Sequence, residues 1–383
     1  MGHDRNRGGR RWARGRGRAV AARIVPVIMS GGAGSRLWPV STDARPKQFQ
    51  GLDEAHSLIQ ATALRFRGGE GVEFLPPVIV CNARHEALVR EQLAAVGVAP
   101  SAIVLEPCGR NTAAVAAVAA LAVAEVAPGA LALLTPADHV VRRPEALREA
   151  IAAAAQTAFG RIVTFGIRPT GPATGYGYIR RAEALDEGVF RIARFLEKPP
   201  LEDAVRYVAE GGYDWNAGIF LFAPEVMAEA QRACCPEVWG AAETAFLRAA
   251  RTGEVVALDG PAFEACPSIS VDHAVMERTD RSAVAPCDPA WSDIGSWNEL
   301  WRHLPHDAHG NAVREGVAVD CENTLVWSSG DRPVAVVGLS DVLVVSTEEG
   351  VLVVARDRDQ DVRKVHQALA RLAEPEAEAK GEG

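Results

Sequence analysis

At 383 residues, 48% hydrophobic and 23% charged, the chain can bury a large core over two or three domains, which excludes a disordered or fibrous protein and a small stapled scaffold. Seven cysteines, an odd number, show no C-x-x-C spacing and one adjacent pair, Cys234 and Cys235. That usage fits neither a disulfide framework nor a zinc site and points to a reducing cytoplasm. The formal charge of −8 is uneven, because residues 1–23 carry eight arginines against one aspartate and leave the remainder more acidic than the whole.

Those first residues hold one aromatic and no repeat. They predict a disordered Arg/Gly-rich extension rather than a nucleic-acid-binding tract or a signal peptide. The first strand is predicted over 24–29, followed by β-branched runs at 78–81, 103–105, 131–135 and 162–166. Helical patterns near 57–66, 84–96, 112–126 and 144–158 alternate with them. The alternation predicts an α/β fold, a Rossmann-like, mainly parallel sheet covered by helices. The apolar stretch 112–134 is divided by Pro128 and Gly129, so it reads as a buried helix and a strand rather than a membrane span. From about residue 310, five short apolar runs without intervening helices predict a small β-rich domain. A helix over 357–372 and a solvated tail complete the chain.

Ligands of such sheets sit beyond the carboxyl ends of the strands, so the loops after 29, 105, 135 and 166 should converge on one site. The first of these, GGAGSRLWPVSTDARPKQF, combines Gly31, Gly32 and Gly34 with Arg36 and Lys47. Glycines let backbone N–H groups approach phosphate oxygens, and the two cations neutralise what remains, which suits a nucleoside triphosphate. A plain strand-to-helix turn is the other reading of the glycines alone. No Gly-Lys-Ser/Thr ends the loop, so it is not a P-loop, and Trp38-Pro39 interrupts the helix that a dinucleotide fingerprint requires.

Asp138 follows the strand at 131–135, and Asp293 lies in a turn beside Gly295. Two carboxylates brought to one strand edge could hold Mg²⁺ against a triphosphate; a helix cap or a turn explains either one singly. His139 reads as a satisfied neighbour. Glu197 and Lys198, at a strand end before two prolines, offer an acceptor for sugar hydroxyls and a cation for phosphate. Asn216, placed before a buried strand, can donate and accept toward a polyol, and Gly175 and Gly177 permit backbone approach.

The motifs GGAGSRLWP, PKQF, EPCGRNTAAVA, TPADHV, FGIRPTGPATGYGYI, FLEKPP, WNAGIFLF, VDHAVMERT and WSDIGSW, in this order over about residues 24–304, resemble those of bacterial mannose-1-phosphate guanylyltransferases. The resemblance implies transfer of GMP from GTP to mannose 1-phosphate with Mg²⁺. It implies nucleotide binding by Gly31, Gly32, Gly34, Ser35, Arg36 and Lys47, with Glu106, Arg110, Asn111 and Thr112 near the nucleoside. Asp138 and Asp293 match metal-binding aspartates, and Glu197, Lys198, Asn216 and Gly175 match sugar-phosphate positions. Arg36, Lys47, Asp138, Lys198 and Asp293 form the expected catalytic charge set.

The resemblance also implies a short left-handed β-helix that packs against the catalytic domain and can take part in the contacts of a homodimer; no membrane or nucleic-acid partner is expected. Two departures stand out: His273 replaces the usual tyrosine, and Ser346–Gly350 replaces an aspartate-bearing turn. Longer relatives continue into an isomerase domain, so only the transferase activity is expected here. The expected division is an extension over 1–23, a catalytic domain over 24–304, a β-rich domain with its helix over 305–372, and a tail over 373–383. A same-fold enzyme for another sugar 1-phosphate or base, and a non-catalytic sugar-nucleotide-binding paralogue, are the alternatives.

Overall fold

The computed structural model describes residues 21–373 apart from Ala33, Asp53, Glu54 and Glu70. Its first half contains β1 (Ala22–Ser30), β2 (Val72–Phe74), β3 (Val78–Asn82), β4 (Ala102–Glu106), β5 (Leu131–Pro136), β6 (Val140–Val141) and β7 (Ile162–Ile167). The helices Leu58–Arg65, Glu86–Ala95, Asn111–Val126 and Pro144–Ala158 lie among them. There follow β8 (Tyr178–Asp186), β9 (Val189–Leu196), β10 (Tyr213–Phe222), β11 (Ala250–Thr252), β12 (Val255–Ala257), β13 (Ser282–Cys287) and β14 (Trp291–Ser292).

Side chains of the central strands alternate between two cores, as the period of two requires. Val78, Val80 and Val104 face the core shared with the helices Asn111–Val126 and Pro144–Ala158. Ile28, Ile79 and Ile103 face a second core with Phe49, Ile59 and Val89. The sheet is therefore covered on both faces. The Ala/Val-rich helix Asn111–Val126 is buried along nearly its whole length, packed against the helices Pro224–Cys234 and Pro236–Leu247. Among the described residues, no helix is long and apolar enough to cross a membrane.

The twelve strands of the main sheet run in the order β11-β12-β4-β3-β1-β5-β10-β7-β13-β9-β8, with β2 beside β1. Neighbours from β12 to β5 pair in parallel, and so do β7 and β13. Between these two parallel runs lies β10, antiparallel to both β5 and β7. Its amino-terminal half thus lies at the edge where β1, β4, β5 and β7 have their carboxyl ends, which assembles the site.

Beyond the helix Trp297–His303 come β15 (Ala312–Arg314), β16 (Gly316–Val319), β17 (Leu325–Ser328), β18 (Val334–Val337), β19 (Val342–Thr347) and β20 (Gly350–Ala355). The strands β15, β17 and β19 stack in parallel, as do β16 and β18. The coil turns its corners at Glu315, Asp320, Asn323 and Asp341, all with φ of 50–53°, a conformation that acidic and amide side chains tolerate better than most. This coil does not stand apart. Leu325, Trp327 and Leu343 share a core with Leu37 of the glycine loop and with Trp297 and Leu300.

Three local expectations are corrected. The first strand begins at Ala22, inside the expected extension, because Ala22 and Arg23 pair with Val72 and Glu73; the rest of that extension, residues 1–20, lies outside the described residues, as does 374–383 of the tail. The final helix is Val362–Ala373, preceded by a 3-10 turn over Arg356–Asp361. Asn216 lies within β10 rather than ahead of it, where the register shifts between Asn216 and Phe220 and Gly218 takes a φ of 66°.

Candidate active site

The glycine loop leaves β1 with Gly31 and Gly32 exposed. Gly34 is constrained twice, by a φ of 59° and by its neighbours: a Cβ there would lie 2.7 Å from Lys47 Cβ and 2.8 Å from Ser41 Oγ. The chain then makes a 3-10 turn, Ser35–Leu37, pinned by buried Leu37. A second turn, Lys47–Phe49, is buried throughout. Lys47 Nζ sits 2.9 Å from Asp138 Oδ2, 2.5 Å from the Asp293 carbonyl and 3.3 Å from that of Ile294. All three of its donors are engaged, so Lys47 joins its own turn to two distant segments.

Those contacts bring the Asp138 and Asp293 segments together. Burial pushes the Asp138 carboxyl up, but the charge of Lys47 and its hydrogen bond outweigh it and hold the group below its ordinary range. His139 is neutral: burial lowers its pKa to about 4. Its Nδ1 accepts from Trp291 Nε1 at 3.1 Å, so it is a satisfied neighbour. Asp293 Oδ1 accepts from the Tyr176 hydroxyl at 3.0 Å, and that hydroxyl also lies 3.2 Å from Glu299 Oε2. Glu299 is raised by burial and by the Asp293 charge. Arg36 Nη1 lies 3.3 Å from Gln360 Oε1 in the carboxyl-terminal part.

The donor set suits Mg²⁺, which accepts one or two carboxylates and completes its shell from phosphate and water. Asp138 keeps 30% of its side chain exposed toward the cleft while Lys47 keeps 7%. Among the described residues, no group of three or more His, Cys, Asp or Glu could hold a metal unaided.

At the next strand ends, Glu197 is almost fully buried and its Oε1 accepts from Lys198 Nζ at 2.6 Å. Gly177 makes room for it, since a Cβ there would come within 2.7 Å of Glu197 Oε2; Gly175 is open and exposed. The Asn216 carbonyl oxygen already accepts from Thr164 Oγ1 at 2.7 Å and Gly218 N at 3.2 Å, and its amide donates to Asp272 Oδ1 at 2.9 Å. It retains one N–H for a ligand, and its carbonyl oxygen is already committed. Burial, then the Glu197 charge, raises Asp272 to about 7. Sequence reasoning assigned no role to Asp272, Tyr176, Trp291 or Glu299. For Asp272 the available signal was an acid set among apolar residues in VDHAVM.

The EPCGRNTAA stretch divides its labour. Glu106, at the end of β4, is buried and raised to about 7 by that burial. Arg110 donates to the carbonyls of Phe263 and Glu264, and Thr112 Oγ1 accepts from Val271 N at 2.9 Å. Asn111 takes a φ of 63° and accepts from Thr112 N. Thr112 therefore holds the segment carrying Asp272, and Arg110 holds the end of the short helix Gly260–Glu264 that precedes it.

Residues 25–310 match the family described as Nucleotidyl transferase, and residues 314–369 match the MannoseP isomerase/GMP-like beta-helix domain. The Xanthan biosynthesis protein XanB of Xanthomonas campestris is 43% identical over 356 residues, covering 92% of this chain and 75% of that protein. The Escherichia coli protein named mannose-1-phosphate guanylyltransferase is 43% identical over 352 residues, covering 90% and 73%. A crystal structure from Thermus thermophilus, described as a mannose-1-phosphate geranyltransferase, superposes with a TM-score of 0.77 at 34% identity, covering 91% of this chain and 99% of that one.

Proposed function

The chain belongs to the nucleotidyl transferase family, and we propose that within it the protein is a mannose-1-phosphate guanylyltransferase, joining GTP and mannose 1-phosphate to give GDP-mannose and pyrophosphate. The observation that carries this reading is the convergence of Asp138 and Asp293 on Lys47, beside a glycine loop and the Glu197–Lys198–Asn216–Asp272 cluster.

The sugar phosphate is already an ionised nucleophile near neutral pH, so attack on the α-phosphorus needs no general base. Positioning two anions and offsetting their repulsion are the demands on the protein. Backbone N–H groups at Gly31, Gly32, Gly34 and Ser35 receive the triphosphate, and Arg36 stabilises charge on the departing pyrophosphate. Glu106 and Asn111 lie on the nucleoside side. Lys198, Glu197, Gly175, Asn216 and Asp272 orient the sugar phosphate. Lys47 fixes the two aspartates, which would hold Mg²⁺; when bound, the ion supplies charge neutralisation and polarises the transferring phosphoryl group.

On the same reading, the catalytic part ends near residue 304, the β-coil braces the glycine loop, and the reaction takes place in the cytoplasm. The test is pyrophosphate release from five nucleoside triphosphates against mannose 1-phosphate and glucose 1-phosphate, with product mass as identification. Selective formation of GDP-mannose is expected. Preference for another pair would rename the enzyme, and binding without release would make the chain a sugar-nucleotide sensor.

A further inference from the structure

Tyr176 lies in the irregular stretch between β7 and β8, flanked by Gly175 and Gly177, and is half-buried. Its ring stands edge-on between two indoles, with centroids 5.0 Å from Trp215 and 5.2 Å from Trp291. Trp215 precedes Asn216 on β10, and Trp291 donates to His139, the neighbour of Asp138. One aromatic row thus runs from the sugar side to both aspartates. At its centre the Tyr176 hydroxyl meets Asp293 Oδ1 at 3.0 Å and Glu299 Oε2 at 3.2 Å. A Cβ added to Gly295 would lie 3.4 Å from Asp293 Oδ2, 3.6 Å from Asp293 Oδ1 and 3.5 Å from Arg36 Nη1, so the missing side chain keeps the space between the Asp293 carboxylate and Arg36 open.

We infer that Tyr176 is a positioning residue for the metal end: through Oδ1 it fixes the Asp293 carboxylate ready for a divalent cation. The inference rests on the reading of Asp293 as a metal-holding group. A free carboxylate rotates about its last bond and must be ordered when the cation binds; an aromatic clamp with one hydroxyl supplies that order beforehand. Nothing in the packing of the ring alone demands a hydroxyl at this point, because a phenylalanine would keep both indole contacts.

The test is Mn²⁺ binding to the full chain without nucleotide, read from the paramagnetic resonance signal of the free ion, for wild type, Tyr176→Phe and Asp293→Asn. Tyr176→Phe should weaken Mn²⁺ binding about 10- to 100-fold, with melting temperature and tryptophan emission unchanged. In turnover it should raise the Mg²⁺ requirement while leaving KM for mannose 1-phosphate at saturating Mg²⁺ as in wild type. Wild-type Mn²⁺ affinity in Tyr176→Phe, with weakened binding in Asp293→Asn, would overturn the positioning role alone. Wild-type affinity in both variants would overturn the metal reading beneath it.

Discussion

The Lys47 ammonium lies 2.9 Å from Asp138 Oδ2, and that contact ties the far arm of the glycine loop to the end of the fifth strand. Because the same ammonium also meets the carbonyls of Asp293 and Ile294, Lys47→Ala should loosen both aspartates together. Leaving Asp138 without its buried partner should cost roughly 3 kcal/mol of stability and raise the GTP requirement more than that for mannose 1-phosphate. Urea unfolding and paired substrate titrations check this; an unchanged GTP dependence would remove Lys47 from the nucleotide side.

Two glycines of one loop should answer differently to the same change. Gly34→Ala places a methyl group within 2.7 Å of Lys47 Cβ at a φ of 59°, so displacement of Lys47 and a large fall in turnover are expected. Gly31→Ala meets nothing within 4 Å and should leave folding unchanged. Any turnover that Gly31→Ala loses then measures how closely the backbone must approach the phosphates.

Glu106 gives a pH signature. Its pKa is raised by burial from 4.5 to about 7, so between those values the folded chain holds a proton that the unfolded chain has released. Its contribution to stability is complete below about pH 4.5 and is lost as pH rises through 7, about 3 kcal/mol in all. Glu106→Gln should remove that slope, becoming more stable relative to wild type at pH 8 than at pH 5. Parallel stability curves across this range would contradict the buried, protonated carboxyl.

At the sugar end, Asn216→Ala would strand the Gly218 N–H and remove the donor to Asp272, while the Thr164 hydroxyl keeps the Ile219 carbonyl at 3.0 Å. A stability loss of about 1–3 kcal/mol per buried group is expected, alongside weaker sugar-phosphate use. Asp272→Asn keeps the volume and should raise KM for mannose 1-phosphate roughly ten-fold with GTP dependence intact. A change confined to GTP would move Asp272 out of the sugar pocket.

The alternation of strands with helices and the glycine loop were legible because both depend on residues close in sequence. The antiparallel entry of β10 was not, since WNAGIFLF is apolar on both faces and carries no mark of direction. That entry places Asn216 inside a strand and commits its carbonyl to Thr164, 52 positions away. Arg110 and Thr112 had their partners in segments distant in sequence, Phe263, Glu264 and Val271. Tyr176 passed as part of a glycine turn because its meaning depends on Asp293 and Glu299, 117 and 123 positions on. Local pattern identifies elements and loops; partnership across the sheet decides which polar side chains remain available to a ligand.

The most direct test of the account is the rate of pyrophosphate release from GTP and mannose 1-phosphate at saturating Mg²⁺ in Asp138→Asn and Asp293→Asn, each compared with wild type after its fold has been verified by melting. If the carboxylates of Asp138 and Asp293, whose segments Lys47 ties together, form the reacting centre, each variant should fold and lose on the order of 100-fold or more in turnover. Wild-type turnover in either variant would contradict the account.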